Sequence, residues 1–168
     1  MNRSDSHALA QAVHDLGAAV WFGGTVMGAV GVNRAGRDLT EGIDRIRVAK
    51  SAWGRFSFLQ WTGIAATMLA GLQLTRTSAE RLAAQQTFGT VGAAKAGVVA
   101  LGALATAYSA FCGAKIASLA EEAHDQQKRV EVADATTPTP QTPPEIARWQ
   151  RRQQIAQFIT PILAGANI

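Results

Sequence analysis

The chain is predicted to be an all-α integral membrane protein, a four-helix bundle with a cytoplasmic amphipathic helix and a cytoplasmic extension of the third helix. Three observations lead there. Only 17% of the 168 residues are charged, against ~25% in soluble domains. The apolar residues gather in helix-length runs, with the charges segregated into blocks between them. The longer runs carry no polar stripe of the kind a water-facing helix needs.

The first run, residues 8–32, is long enough to cross a bilayer, which takes ~20 mostly apolar residues. The second, residues 56–74 (FSFLQWTGIAATMLAGLQL), and the third, residues 88–117, also reach that length. The fourth, residues 155–168 (IAQFITPILAGANI), reaches only roughly 21 Å at 1.5 Å per residue, short of a full span. All four are expected to belong to one membrane domain covering 1–168. No leader peptide is legible in MNRSDSHALAQAVHD, which lacks a basic region running into a short apolar core.

Orientation follows from the cations. Arg34, Arg37, Arg45, Arg47, Lys50 and Arg55 lie between the first two spans, and Lys115, Lys128, Arg129, Arg148, Arg151 and Arg152 between the last two. The other side has only Arg3, Arg76 and Arg81. The positive-inside rule then puts both basic loops in the cytoplasm and both termini outside, in a bacterial plasma membrane. Trp53, Trp61 and Trp149 fall near the cytoplasmic ends, as interfacial aromatics do.

In the first basic loop, Leu39, Ile43 and Ile46 have helical spacing, and Asp38 with Glu41 resembles a capping pair. The segment is expected either to lie on the inner leaflet through Arg45, Arg47 and Lys50, or to be a solvated connector. In the second loop, SLAEEAHDQQKRVEVAD should prolong the third helix. The Thr/Pro linker 134–144 should then break it, leaving a mobile spacer. Thr142-Pro143-Pro144-Glu145 has the form of a helix start.

Gly17, Gly24, Gly28 and Gly31 share one face of the first helix, and Gly92 belongs to a glycine- and alanine-rich third helix. Small residues let helices approach closely in lipid, so these glycines should build the bundle or mark a homodimer face. Asp15 and Lys95 lie at similar depth near the outer surface. A charge within a span costs ~2.5–3.5 kcal/mol, so the two are expected to pair, with His14 nearby, or else to reach the headgroups separately. His14 is also the one candidate metal ligand, since imidazole and carboxylate suit copper or zinc.

Enzyme chemistry is not expected. Ser, Thr and Cys112 have no adjacent base, and no phosphate loop or dinucleotide fingerprint occurs. One cysteine excludes an internal disulfide, no cofactor is implied, and the placement of the +4 net charge beside apolar runs favours lipid over nucleic acid. The expected partners are the bilayer, and a second copy or a larger membrane complex.

At His14-Asp15-Leu16-Gly17, followed by Trp21-Phe22-Gly23-Gly24, the chain resembles uncharacterised four-span integral membrane proteins of actinobacteria. Over residues 14–33 it also resembles CopD-like copper-resistance membrane domains, where a histidine precedes a Trp-x-Gly-Gly element within a span. The second likeness implies copper handling, with His14 as the transferable ligand. Two functions are therefore carried forward. One is a non-catalytic scaffold or accessory subunit of a membrane assembly. The other is a small transporter or copper-handling protein built on the outer His14, Asp15 and Lys95.

Overall fold

A computed structural model describes the backbone of residues 3–81 and 86–168, and side chains over 5–76 and 92–168. Arg3, Arg81 and the opening residues of the expected third span, 88–91, lie outside the described side chains. Four long helices make up the fold: α1 (Arg3–Met27), α2 (Gly42–Arg81), α3 (Gln86–Asp125) and α4 (Pro144–Gly165). Beyond Met27 the chain continues through a π-helical turn, Gly28–Val32, a short α-helical turn, Asn33–Ala35, and a 3-10 turn, Gly36–Asp38.

Specific pairs of residues fix how the helices lie. Gly17 faces Gly63 and Gly24 faces Phe56, so α1 runs antiparallel to α2. Thr75 meets Gly92 at one end of the α2/α3 contact, and Arg47 meets Glu121 at the other. Ser109 bonds Gln153 across α3/α4, and Asn33 bonds Gln157 between the end of the first helical segment and α4. Each long helix therefore has two antiparallel neighbours, and the most extensive contacts are α1 with α2 and α3 with α4.

The glycines work by proximity. A methyl group at Gly17 would sit 2.7 Å from the Gly63 carbonyl oxygen, and one at Gly63 would sit 2.9 Å from that of Gly17. Backbone therefore meets backbone, as small residues at a helix crossing permit. Gly24 and Gly28 instead make room for the Phe56 and Trp53 rings. This glycine face packs on α2 rather than on the third helix. The nearest neighbour of Gly31 is Met27 of the preceding helical turn, and among the described residues Gly92 meets Thr75.

The sequence Trp21-Phe22-Gly23-Gly24 proves to be a three-way junction. Trp21 is fully buried on Gly102 of α3 and donates its indole N–H to Thr106 Oγ1 at 3.0 Å. Phe22 lies against Gly165 of α4, while Gly24 receives Phe56 of α2. Ile64, Val99 and Ala164 complete a small cluster around Trp21.

A second core closes the basic end. Ile43 and Ile46 of α2 pack with Ile116, Ala117 and Ala120 of α3, Ile146 of α4, and Val130 and Val132 of the connecting loop. The loop crosses so near the start of α2 that a methyl at Gly42 would run into the Val130 carbonyl.

Several expectations change here. The amphipathic segment is not a separate helix: it forms the first turns of the 40-residue α2. No proline interrupts it, and Ile43 and Ile46 of its apolar stripe are buried against protein while Leu39 is exposed. The third helix ends at Asp125, short of the expected extension. Gln127 adopts a positive φ of 57°, and Lys128 N–H reaches the Ala123 carbonyl at 2.9 Å, a closure that satisfies the last carbonyls.

The linker 134–144 is not an extended spacer but a folded turn. Val132 bridges Pro138, and Asp134, Thr136 and Thr142 are buried. The Thr142 hydroxyl bonds the Glu131 carbonyl instead of capping a helix, and α4 opens at Pro144 after an N-cap at Pro143. Finally, among the described residues two stretches rather than four are long and apolar enough by themselves to cross a membrane, Asp5–Asp38 and Gly92–Asp125. Gln60, Thr62, Thr67 and Gln73 dilute the apolar run of α2, and Gln154, Gln157 and Thr160 dilute that of α4.

Candidate functional site

Between the helices, toward the basic end, lies a cavity of about 300 Å³. All four long helices and the π-helical turn contribute to it. Thr25, Ala29 and Asn33 come from the first segment, Lys50, Trp53, Ser57 and Gln60 from α2, Thr106, Ser109 and Gly113 from α3, and Gln153, Gln157 and Thr160 from α4.

The backbone irregularity of the first segment serves this site. In a π-helical turn one extra residue is inserted per turn, which rotates everything that follows. Asn33 N–H accordingly reaches back five residues to the Gly28 carbonyl. Its side chain is then buried and bonded at both ends: Trp53 Nε1 donates to Oδ1 at 2.8 Å, and Nδ2 donates to Gln157 Oε1 at 2.8 Å.

Two neighbouring amides are less complete. Gln153 is 5% exposed and donates from Nε2 to Ser109 Oγ at 2.8 Å, while its Oε1 is buried without a protein partner. Gln60 is 6% exposed and lines the cavity with no hydrogen bond to a described residue. A buried amide oxygen left unpaired costs ~1–3 kcal/mol, and Gln150 Oε1, outside the cavity lining, is in the same state as Gln153 Oε1.

Elsewhere the hydroxyls turn away. Thr25, Thr106 and Thr160 each donate to a carbonyl four residues back on their own helix, at 2.9, 2.9 and 3.2 Å. That leaves less polar surface facing the space. Gly54 and Gly113 line the cavity, with open room where a Cβ would stand. Among the described lining residues Lys50 carries the one charge, and it is exposed at the basic end.

The residues singled out from sequence are distributed unevenly. His14 Nδ1 lies 3.2 Å from Asp15 Oδ1, and Gln11 Nε2 donates to the same oxygen at 2.8 Å. Lys95 makes no ion pair with Asp15 among the described residues. The carboxylate is 56% exposed, and its own helix already supplies its hydrogen bonds. Nor does a metal centre gather around His14: no group of three or more His, Cys, Asp or Glu converges among the described residues.

Of the cations expected at the inner leaflet, Arg45 and Arg47 are engaged by protein. Arg45 donates to the Leu39 carbonyl at 2.9 Å and to that of Val132 at 2.6 Å. Arg47 forms a two-pronged pair with Glu121, at 3.0 and 2.7 Å, which raises its pKa. Lys50 alone of the three turns to the cavity.

Asn33, Gln60, Gln153 and Gln157 were missed. Their signal was present: Gln150, Gln153 and Gln157 fall at helical i, i+3, i+7 spacing, and all three are buried.

Comparison with protein-family models, with curated proteins and with solved structures finds no match for this chain. The site must be read from its own geometry.

Proposed function

We propose that the chain is a four-span integral membrane protein, with its termini outside and its basic loops in the cytoplasm, that serves a membrane assembly as a non-catalytic scaffold or accessory subunit. One observation carries the membrane part: the polarity of the bundle is inverted. Its interior holds small and polar side chains, among them Ala18, Thr67, Thr106, Gln150 and Gln153. Its exterior presents Leu16, Phe58, Leu69, Leu104 and Ile162, each more than half exposed. Water does not support that arrangement, whereas a lipid solvent does, because internal hydrogen bonds and close packing then drive association.

The exposed apolar side chains of the first segment run from Leu9 to Val30. That is roughly 32 Å at 1.5 Å per residue, close to the ~30 Å hydrocarbon thickness. Gln60 and Thr67 of α2 and Gln157 and Thr160 of α4 are turned inward, while Thr62 and Gln73 of α2 are exposed. The non-catalytic part draws support from the cavity lining, whose groups are amides, hydroxyls and a single ammonium, with no acid–base pair among those described.

Single-cysteine labelling in intact bacterial cells tests the reading, on a Cys112→Ala background. Asp5→Cys should react with a membrane-impermeant maleimide, and Arg129→Cys should react only after the membrane is opened. Release of the protein by alkaline carbonate would sink the membrane assignment. A strictly monomeric, partner-free species in every mild detergent would sink the scaffold.

A further inference from the structure

We propose that the outward face of the α3/α4 seam holds an acidic phospholipid of the inner leaflet, its headgroup on Lys115 and Arg152. The inference rests on the membrane reading above and adds a lipid class and a place to it.

Four side chains form a row across the seam at the basic end. The Lys115 ammonium stands 5.9 Å from the centre of the Phe111 ring. Phe111 meets Trp149 edge to face, with centroids 5.5 Å apart. The Arg152 guanidinium lies 4.6 Å from the centre of the Trp149 ring. Both cations are exposed, and neither forms an ion pair among the described residues. That separates them from Arg37 and Arg47, whose charges Asp134 and Glu121 meet.

A ring face attracts a cation without neutralising it. The planar guanidinium stacked on Trp149 keeps its N–H edges for an acceptor, and a phosphate fits that fork. The row therefore presents two uncompensated positive charges held against aromatic rings.

What lies beyond the row fits acyl chains. On α3, Leu101, Leu104, Tyr108 and Phe111 precede Lys115 in alternating i+3 and i+4 steps, and all four are exposed. On α4, Ile155 and Ile159 follow Arg152 at i+3 and i+7 and are exposed too. The two helices are antiparallel, so both stripes lead away from the basic end. From Leu104 to Lys115 the distance is roughly 16 Å at 1.5 Å per residue, about half of the ~30 Å hydrocarbon core and so one leaflet deep.

The charges choose the occupant. A second copy in the same membrane orientation would set one cation row against another across a two-fold contact, which repels. A zwitterionic lipid offers a phosphate but also brings an ammonium onto the row. A lipid of net negative charge meets both cations with nothing to oppose them.

The test places the full chain in phosphatidylcholine bilayers. Tryptophan emission is followed as brominated phosphatidylglycerol or brominated phosphatidylcholine replaces part of the lipid. The quenching lost in Trp149→Phe belongs to Trp149. At that site phosphatidylglycerol should be favoured about 25-fold, about fivefold for each cation at the ~1 kcal/mol of a basic side chain near an anionic surface. Lys115→Gln and Arg152→Gln, both at exposed positions, should each cut the preference about fivefold and together abolish it. Lys50→Gln should leave it unchanged. Should Trp149→Phe not fold, native mass spectrometry of the two lipids on the unmodified chain and on the charge variants reads the same preference. Equal quenching by the two lipids, a preference that survives the double variant, or a Trp149 shielded from both lipids by a second copy overturns the proposal. If the chain resists carbonate extraction yet shows no lipid preference, this inference fails while the membrane reading stands. If carbonate releases it, both fail.

Discussion

The two ends of the molecule are held together by different physics. Around Trp21 the core consists of one large ring set among Ile64, Val99, Ala164 and Gly102, with an internal indole-to-hydroxyl bond. Around Ile146 it consists of branched aliphatic side chains under a loop. The second is what burial from water favours, at about 25 cal/mol per Å². The first gains little from that term if its outer face meets lipid, and depends on contact distance and on satisfied polar groups. On the proposed membrane reading, each core reflects the solvent outside it, with the boundary near Asn33 and Lys50.

The contrast can be broken by mutation. Trp21→Ala should have the largest effect, ~3–5 kcal/mol, lowering the thermal midpoint in detergent for the whole chain. An intact midpoint would mean that the junction of α1, α3 and α4 is not its central contact. Ile146→Ala should cost ~2–5 kcal/mol and expose the 126–143 loop to protease, while amides near Ala18 and Thr67 keep their protection from hydrogen exchange. Loss of protection at both ends together would show one cooperative unit instead of two.

Asp134 sharpens the comparison through pH. Burial alone would raise its pKa, but the Thr136 amide, the Arg37 guanidinium and Thr137 more than offset this and hold it below the ordinary carboxylate value. The native pKa is therefore lower than the unfolded one. The stabilisation is complete above the unfolded value of ~3.9 and is lost as pH falls through the native value. Protease resistance of the loop should fall on acidification below about pH 4, and Asp134→Asn should remove that acid response. The smallest effect is expected for Thr106→Val, about 0.6 kcal/mol, the mean for a hydrogen bond between membrane helices. A cost several times larger would place the Trp21 bond in the water-like class.

The helices and their order were legible, because long apolar runs with few breakers admit little else. The glycine face of the first helix was legible too, but its partner was not. Spacing marks Gly17, Gly24 and Gly28 as one stripe without saying whether Phe56 and Trp53 or another glycine row fills it. The loop 126–143 misled because its three prolines suit a spacer as well as a folded turn, and the deciding contacts, Gly42 with Val130 and Arg45 with Val132, are distant in sequence. The cavity stayed hidden because attention went to charges. Its polar residues are neutral amides in apolar helices, costly there unless paired, and Gln153 and Gln157 fall on one face of α4.

The π-helical turn Gly28–Val32 has a consequence for how such a chain tolerates change in length. Removing a single residue there would let the helix relax to regular winding and would improve its hydrogen bonding. It would also swing Asn33 by roughly 100°, one residue's rotation at 3.6 per turn, away from Trp53 and Gln157. The helix would survive, and the Asn33 bonds to Trp53 and Gln157 would be lost. At this point in the chain, a one-residue deletion does more harm to the site than most substitutions, because a substitution leaves the phase of the helix alone.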